Sequence, residues 1–253
     1  PSLVGSEMCI RDRLPMALID KGVVFTDFYT ALEEIPEVIE AHFGQALAFD
    51  EDKLAAYHTA YFNSAAVLYD PDHLEIAAPI EAIFLQDSDS DVPFNKHVLV
   101  IAGKESKFTY LERFESIGNA SQKASANISV EVIAQAGSQI KFSAIDRLGS
   151  SVTTYISRRG HLAKAANIEW ALAVMNEGNV IADFDSDLIG QGSQADLKVV
   201  AASSGRQVQG IDTCVTNYGQ HTVGHILQHG VILERGTLTV SYTHLRAHET
   251  RHD

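Results

Sequence analysis

Sulfur chemistry is nearly absent from this sequence: 253 residues hold two cysteines. That excludes an internal disulfide framework of any size and fits a reducing compartment. Nowhere does an apolar run approach the ~20 residues that span a bilayer as a helix. Positive charge is also short. The 19 Lys and Arg stand against 33 Asp and Glu, for a net charge of −14. Such a surface repels phosphate backbones, which argues against a nucleic-acid partner; solubility alone accounts for the excess. The nucleophile signature G-x-S-x-G is missing. So is any long helical stretch between the predicted strands, which argues against a doubly wound α/β sheet.

The two ends are related through DNA rather than through protein. Met8 to Asp12 can be written ATG TGT ATA AGA GAC, whose reverse complement encodes Val240 to His244. The pairing continues outward without a break, from Glu7 with Leu245 to Pro1 with Arg251. Unrelated protein ends would not mirror each other codon by codon. The pattern resembles a library adapter joined to both ends of a DNA fragment and translated with it. Residues 1–13 and 239–253 are therefore expected to be adapter-derived and are set aside from fold reasoning. Cys9 goes with them, leaving Cys214 as the sole thiol, and residues 14–238 are expected to be a piece cut at both ends.

Residues 26–62 read as a small helical start. Pro36 suits the first position of a helix running through Phe43, with Gly44 as its stop. A second helix is predicted from about Glu51 to Phe62. Asp50 and Asp52 sit at its positive end, and Leu54, Tyr57, His58, Tyr61 and Phe62 follow helical spacing. From Ala65 the period changes to two. Strands are predicted at 67–69, 73–77, 82–85, 98–101, 108–114, 128–133, 140–145, 152–156, 168–174, 180–188, 197–201, 208–215 and 223–233. From Ile128 on, their centres recur roughly every 12 to 16 residues, with turns such as Ala136-Gly137-Ser138, Glu177-Gly178-Asn179 and Gly190-Gln191-Gly192-Ser193. The pattern allows a sandwich, a barrel or a β-solenoid.

Several constellations suggest chemistry. Gly190 to Ala195 fits the dinucleotide pattern G-x-G-x-x-A, but that pattern needs a helix after it, and Asp196 to Ala201 alternates like a strand. Asp87-Ser-Asp-Ser-Asp91 starts like a calcium loop, yet Val92 stands where glycine is required and Val98 where glutamate is. Asn119-Ala-Ser121 and Asn127-Ile-Ser129 match glycosylation acceptors, a motif common by chance. Asp183, Asp185 and Asp187 share one face of a strand. They are either a wet face or the carboxylates of a carbohydrate-active solenoid enzyme. His221, His225 and His229 sit four apart, downstream of Cys214. They are either turn and surface residues or a module for zinc, iron or copper.

Four segments in fixed order carry a resemblance. They are Ser157-Arg-Arg-Gly-His-Leu-Ala-Lys-Ala-Ala-Asn-Ile-Glu-Trp170 leading into Ala171 to Asn179, then Leu188 to Leu197, Gln209-Gly-Ile-Asp-Thr213, and His229 to Leu238. Together they resemble the core of the SufB/SufD family of iron–sulfur cluster assembly scaffolds, and the SufD branch more than the SufB branch. Gly22 to Leu32 with His42-Phe-Gly44 resembles the family's helical N-terminal region. The resemblance implies a mainly β fold: a right-handed parallel β-helix over 65–238 after a helical region over 14–64. It implies a cytoplasmic scaffold subunit, not itself an enzyme, in a complex with a SufB-like subunit and a SufC-like ATPase. Sulfur donors and apo-protein acceptors would be indirect partners, and neither nucleic acid nor membrane would be one. The nascent iron–sulfur cluster belongs to the full complex, with no cofactor or metal held by these residues. The family's Cys/His positions lie beyond Leu238, so no catalytic or ligand residue is assigned.

Overall fold

The computed structural model describes residues 14–90, 92–118 and 123–246. The acceptor motif at Asn119 and the acidic residue Asp91 lie outside them. The chain begins with α1 (Met16–Ile19), β1 (Val24–Asp27), α2 (Phe28–Glu34), α3 (Pro36–His42) and α4 (Lys53–Tyr61). Pro36 is the first residue of α3, as expected. Asp27 caps α2 by accepting from the backbone N–H of Tyr29 and Thr30, and Asp52 caps α4 by accepting from Ala55.

Strands then follow with no helix between them. In chain order they are β2 (Ser64–Asp70), β3 (Ile80–Asp87), β4 (Phe94–Ala102), β5 (Lys107–Ile117), β6 (Ala124–Ala134), β7 (Gln139–Arg147) and β8 (Val152–Leu162). They continue as β9 (Asn167–Val174), β10 (Val180–Leu188), β11 (Gln194–Ser203), β12 (Val208–Asn217), β13 (Val223–Ile232) and β14 (Thr237–Arg246). Even-numbered strands form one sheet, with β1 on its edge, and odd-numbered strands form the other. From β2 to β12, each strand pairs in parallel with the strand two places on in the chain. The chain therefore climbs one strand spacing per coil, and the result is a parallel β-solenoid of about 6 turns. A sandwich of antiparallel sheets and a closed barrel are both excluded by that pairing.

Alternation explains the core. On β3, β7 and β10 every second residue is buried between the sheets. Identical registers stack these residues into columns. Phe84 lies on Phe114 at 4.9 Å between ring centroids, and Tyr110, Phe142 and Trp170 follow at 5.1 and 4.7 Å. On the even-numbered sheet, β2 and β4 are buried on both faces, because α2 and α3 cover the outside. There Ala31 and Ile39 pack on Val67, Leu99, Ile101 and Ile133.

A second column runs through the corners. His73, Glu105, Gly137, Ala165, Gly192 and His221 all have φ between 55 and 75°. The N–H of His73, Glu105, Gly137, Ala165 and Gly192 each donates to a carbonyl of the next coil, at 2.7 to 2.9 Å. Left-handed backbone is what lets the chain turn from one sheet to the other while keeping that ladder.

Two expectations are corrected. Residues 73–77 form no strand; His73 takes the corner conformation and Glu75 makes a single bridge to Lys107. The helical region contains β1, which pairs antiparallel with β2 because Val23 and Phe25 alternate into the main core. The even-numbered sheet continues past Leu238: Thr237 to Arg246 pair with Val208 to Asn217. Backbone bonds supply that pairing, so any alternating sequence can enter it.

Candidate functional site

The polar outer face of the even-numbered sheet is where the predicted site residues gather. Parity sends Arg159, Asp185 and Cys214 outward from β8, β10 and β12, and register sets them side by side in one rung. The rung below carries Ser157, Asp183 and Asp212; the rung above carries His161, Asp187 and Thr216. Arg159 organises this face. Its Nη2 meets Asp183 at 2.7 Å and Glu51 at 2.8 Å, its Nη1 pairs with Asp185, and its Nε donates to Ser157 Oγ at 3.2 Å. Burial raises the pKa of Asp183 and of Asp187, with Arg159 pulling the other way. Burial also raises the Cys214 thiol, helped by Asp212 and Asp187, while Thr216 opposes it. A thiol held protonated beside carboxylates is a poor nucleophile and a poor metal ligand.

Residues 42–51, between α3 and α4, lie as a strap along one side of this face. Glu131 on β6 is fully buried and accepts from the backbone N–H of Gly44, Ala46 and Leu47 at 3.0, 2.9 and 3.1 Å. His97 Nε2 on β4 approaches the same carboxylate at 3.2 Å. Burial alone would raise Glu131; the bonds from His97, Ala46 and Gly44 overcome it and hold the carboxyl below its ordinary value. His97 Nδ1 meets His58 Nε2 of α4 at 3.1 Å, and His58 Nδ1 meets Asn127 Oδ1 at 3.2 Å. Phe43 and Phe62 enclose the His97 ring at 5.0 and 5.6 Å.

The interior holds a third polar group, which sequence reasoning missed. Arg158 is fully buried between the sheets. Its Nη1 and Nη2 bind Asp146 at 2.8 and 2.7 Å, and Nη2 also binds Glu112 at 2.9 Å. Burial pushes Glu112 up to about 7 against the pull of Arg158. Lys96 lies inside as well, 4.5 Å over the Phe84 ring, with Nζ donating to Ser64 Oγ at 2.9 Å. Burial brings its pKa down to about 7, with Glu112 and Asp27 opposing. The signal was parity: in Ser157-Arg-Arg-Gly-His161, neighbouring arginines on a strand must face opposite ways. Arg158 shares the inward parity of Ile156, Gly160 and Leu162. Gly160 belongs to the same design. A Cβ there would stand 3.1 Å from both Trp170 Cζ2 and Ser186 Oγ, the oxygen that accepts from the Trp170 indole at 3.1 Å.

Asp183, Asp185 and Asp187 do share a face, but Arg159 neutralises the first two, so they are not a free acid–base pair. The proposed module of Cys214, His221, His225 and His229 is not assembled. Cys214 faces out from the even-numbered sheet, while His225 and His229 face out from β13 on the opposite sheet, and His221 is a corner residue. The chain changes sheets at that corner, so spacing in sequence does not become proximity. Among the described residues no group of three His, Cys, Asp or Glu could hold a metal ion. Gly190 to Ala195 is a turn followed by β11, with no helix to hold a pyrophosphate. Among the described residues no helix is long and apolar enough to cross a membrane.

Comparison with known proteins gives two family matches. Residues 84–242 match the SufBD core domain of the SUF system for FeS cluster assembly, and residues 2–82 match the SufBD protein N-terminal region. The iron–sulfur cluster assembly protein SufD of Bacillus subtilis is 38% identical over 221 residues, covering 87% of this chain and 50% of that protein. An iron–sulfur cluster assembly SufBD family protein of Staphylococcus epidermidis is 22% identical over 192 residues, covering 76% of this chain and 41% of that protein. The chain thus spans about half the length of the curated relatives it matches.

Proposed function

Because this chain belongs to the SufBD family of the SUF system for iron–sulfur cluster assembly, we propose that it is the solenoid part of a scaffold subunit for cluster assembly and transfer, with no catalysis of its own. The observation that supports this reading most is the committed state of its polar face. Arg159 uses its guanidinium on Asp183, Asp185 and Glu51, and burial beside carboxylates holds the Cys214 thiol protonated. These groups build a surface and leave no nucleophile, acid–base pair or ligand set. A stiff solenoid offers long faces and strand edges to partners.

The partners are a SufB-like subunit and a SufC-like ATPase, with sulfur donors and apo-protein acceptors reached indirectly, in the cytoplasm. The nascent cluster is the cargo. Soft thiolate and imidazole ligands suit it. Nucleotide binding in the ATPase shifts the scaffold between conformations through its different affinity for each.

The test is co-purification of the full-length protein with the SufB-like and SufC-like proteins of the same genome, followed by cluster reconstitution under anaerobic conditions. A stable ternary complex that loads iron and sulfide supports the reading. A full-length protein that binds neither partner, and whose deletion leaves iron–sulfur enzyme activities intact, overturns it.

A further inference from the structure

The contact between the helical region and the solenoid contains a hydrogen-bonded chain whose directions can be worked out. Glu131 accepts from three strap amides, so a carboxylate fills that place; its Oε1 stands 3.2 Å from His97 Nε2, an ion-pair separation at which a protonated nitrogen is attracted and a bare one repelled. At the far end, Asn127 Oδ1 accepts, so His58 Nδ1 carries a proton. Burial brings the His58 pKa down to about 3, with His97 adding to the shift, so His58 is neutral and its single proton is already placed. Its Nε2 is therefore a lone pair, and the proton shared with His97 must come from His97 Nδ1.

We propose that His97 is a buried imidazolium ion-paired with Glu131, and that this pair latches the N-terminal helical region to the solenoid. The latch has three parts on three elements: His97 on β4, Glu131 on β6 and His58 on α4. Each is fixed by the others, and the strap amides of Gly44, Ala46 and Leu47 are held only while the carboxylate is charged and facing them. The other charged or titratable groups nearby are Arg159, which stands in register beside Glu131 on β8, and His161 and His42 at the strap edge. Phe28, Phe43 and Phe62 pack together around the latch and keep water from replacing its bonds. Loss of either ring proton from His97 would set a lone pair against His58 Nε2 or against the Glu131 carboxylate, so the latch is keyed to both protons.

The experiment uses the full-length protein with 15N-labelled histidine. At neutral pH, both ring nitrogens of His97 are expected at protonated shifts, and His58 is expected to show one protonated nitrogen, Nδ1, and one bare nitrogen. A bare ring nitrogen on His97 overturns the proposal. Amide exchange gives a second readout. In Glu131→Gln, exchange at Gly44, Ala46 and Leu47 is expected to be about tenfold faster while that of β10 and β11 is unchanged. Unchanged exchange at the strap would equally overturn it.

Discussion

Arg158 and Asp146 come from opposite sheets and meet in a two-pronged ion pair midway between them, at 2.8 and 2.7 Å. Bridging the sheets with charge is costly in desolvation and tolerable only because both carboxylates, Asp146 and Glu112, meet the guanidinium. Arg158→Ala should therefore strand Asp146 and Glu112 and lower stability by about 3–5 kcal/mol. Urea unfolding of the variant against the parent measures this. A loss below about 1 kcal/mol would mean that water or rearranged carboxylates stand in for the guanidinium.

Asp70 gives a pH signature. It is fully buried. Burial pushes it up to about 7 from 3.8, with Ser106 working the other way. The folded state therefore holds this proton more tightly than the unfolded state, so stability from this group is full below about pH 3.8 and is lost as pH rises toward 7. Asp70→Asn is expected to melt higher than the parent at pH 8 and close to it at pH 4. Equal melting temperatures at both pH values would show that the carboxyl titrates normally.

Ala165 occupies the left-handed corner conformation at φ 56°, in the same column as Gly137 and Gly192. Left-handed backbone costs a non-glycine residue ~1–2 kcal/mol, part of which glycine returns to chain entropy. Ala165→Gly is expected to stabilise by about 0.5–1 kcal/mol, and His221→Gly by a similar amount. Thermal melts of the two variants provide the check, and destabilisation at both would refute the corner argument.

Cys214 should be slow to alkylate. Burial and the neighbouring Asp212 and Asp187 hold its thiol protonated. In a Cys9→Ser background, iodoacetamide at pH 7.5 is expected to react several-fold more slowly than with free cysteine, and Asp212→Asn should speed the reaction. Labelling at the rate of free cysteine would remove the account of this face given above.

The reciprocal codons at the two ends make a genetic prediction. Amplification of the locus across both ends from source DNA is expected to replace residues 1–13 and 239–253 with unrelated sequence. Recovery of the same codons in the genome would make the mirror a property of the gene.

Much of the fold was legible because alternation survives in β5, β7 and β9 to β12, where each strand buries one face between the sheets. Two-residue periodicity could not distinguish a solenoid from a sandwich, since both bury alternate residues; the ordered segments from Ser157 to Leu238 did that. At β1, two core residues were too few to interrupt a helical reading. For the site, parity placed Asp183, Asp185 and Asp187 together but carried no knowledge of Arg159, one strand away in space. The Cys214 and histidine grouping failed because a sheet-changing corner lies between them. The latch of His58, His97 and Glu131 joins residues from three elements, and no local pattern announces it.

In a solenoid of this kind the backbone hydrogen bonds of both sheets point along the long axis, so a pull on the two ends would load them one rung after another, like teeth of a zipper. The molecule would yield coil by coil, each step releasing the stretch between a residue and its stacked partner, such as Arg158 and Phe184.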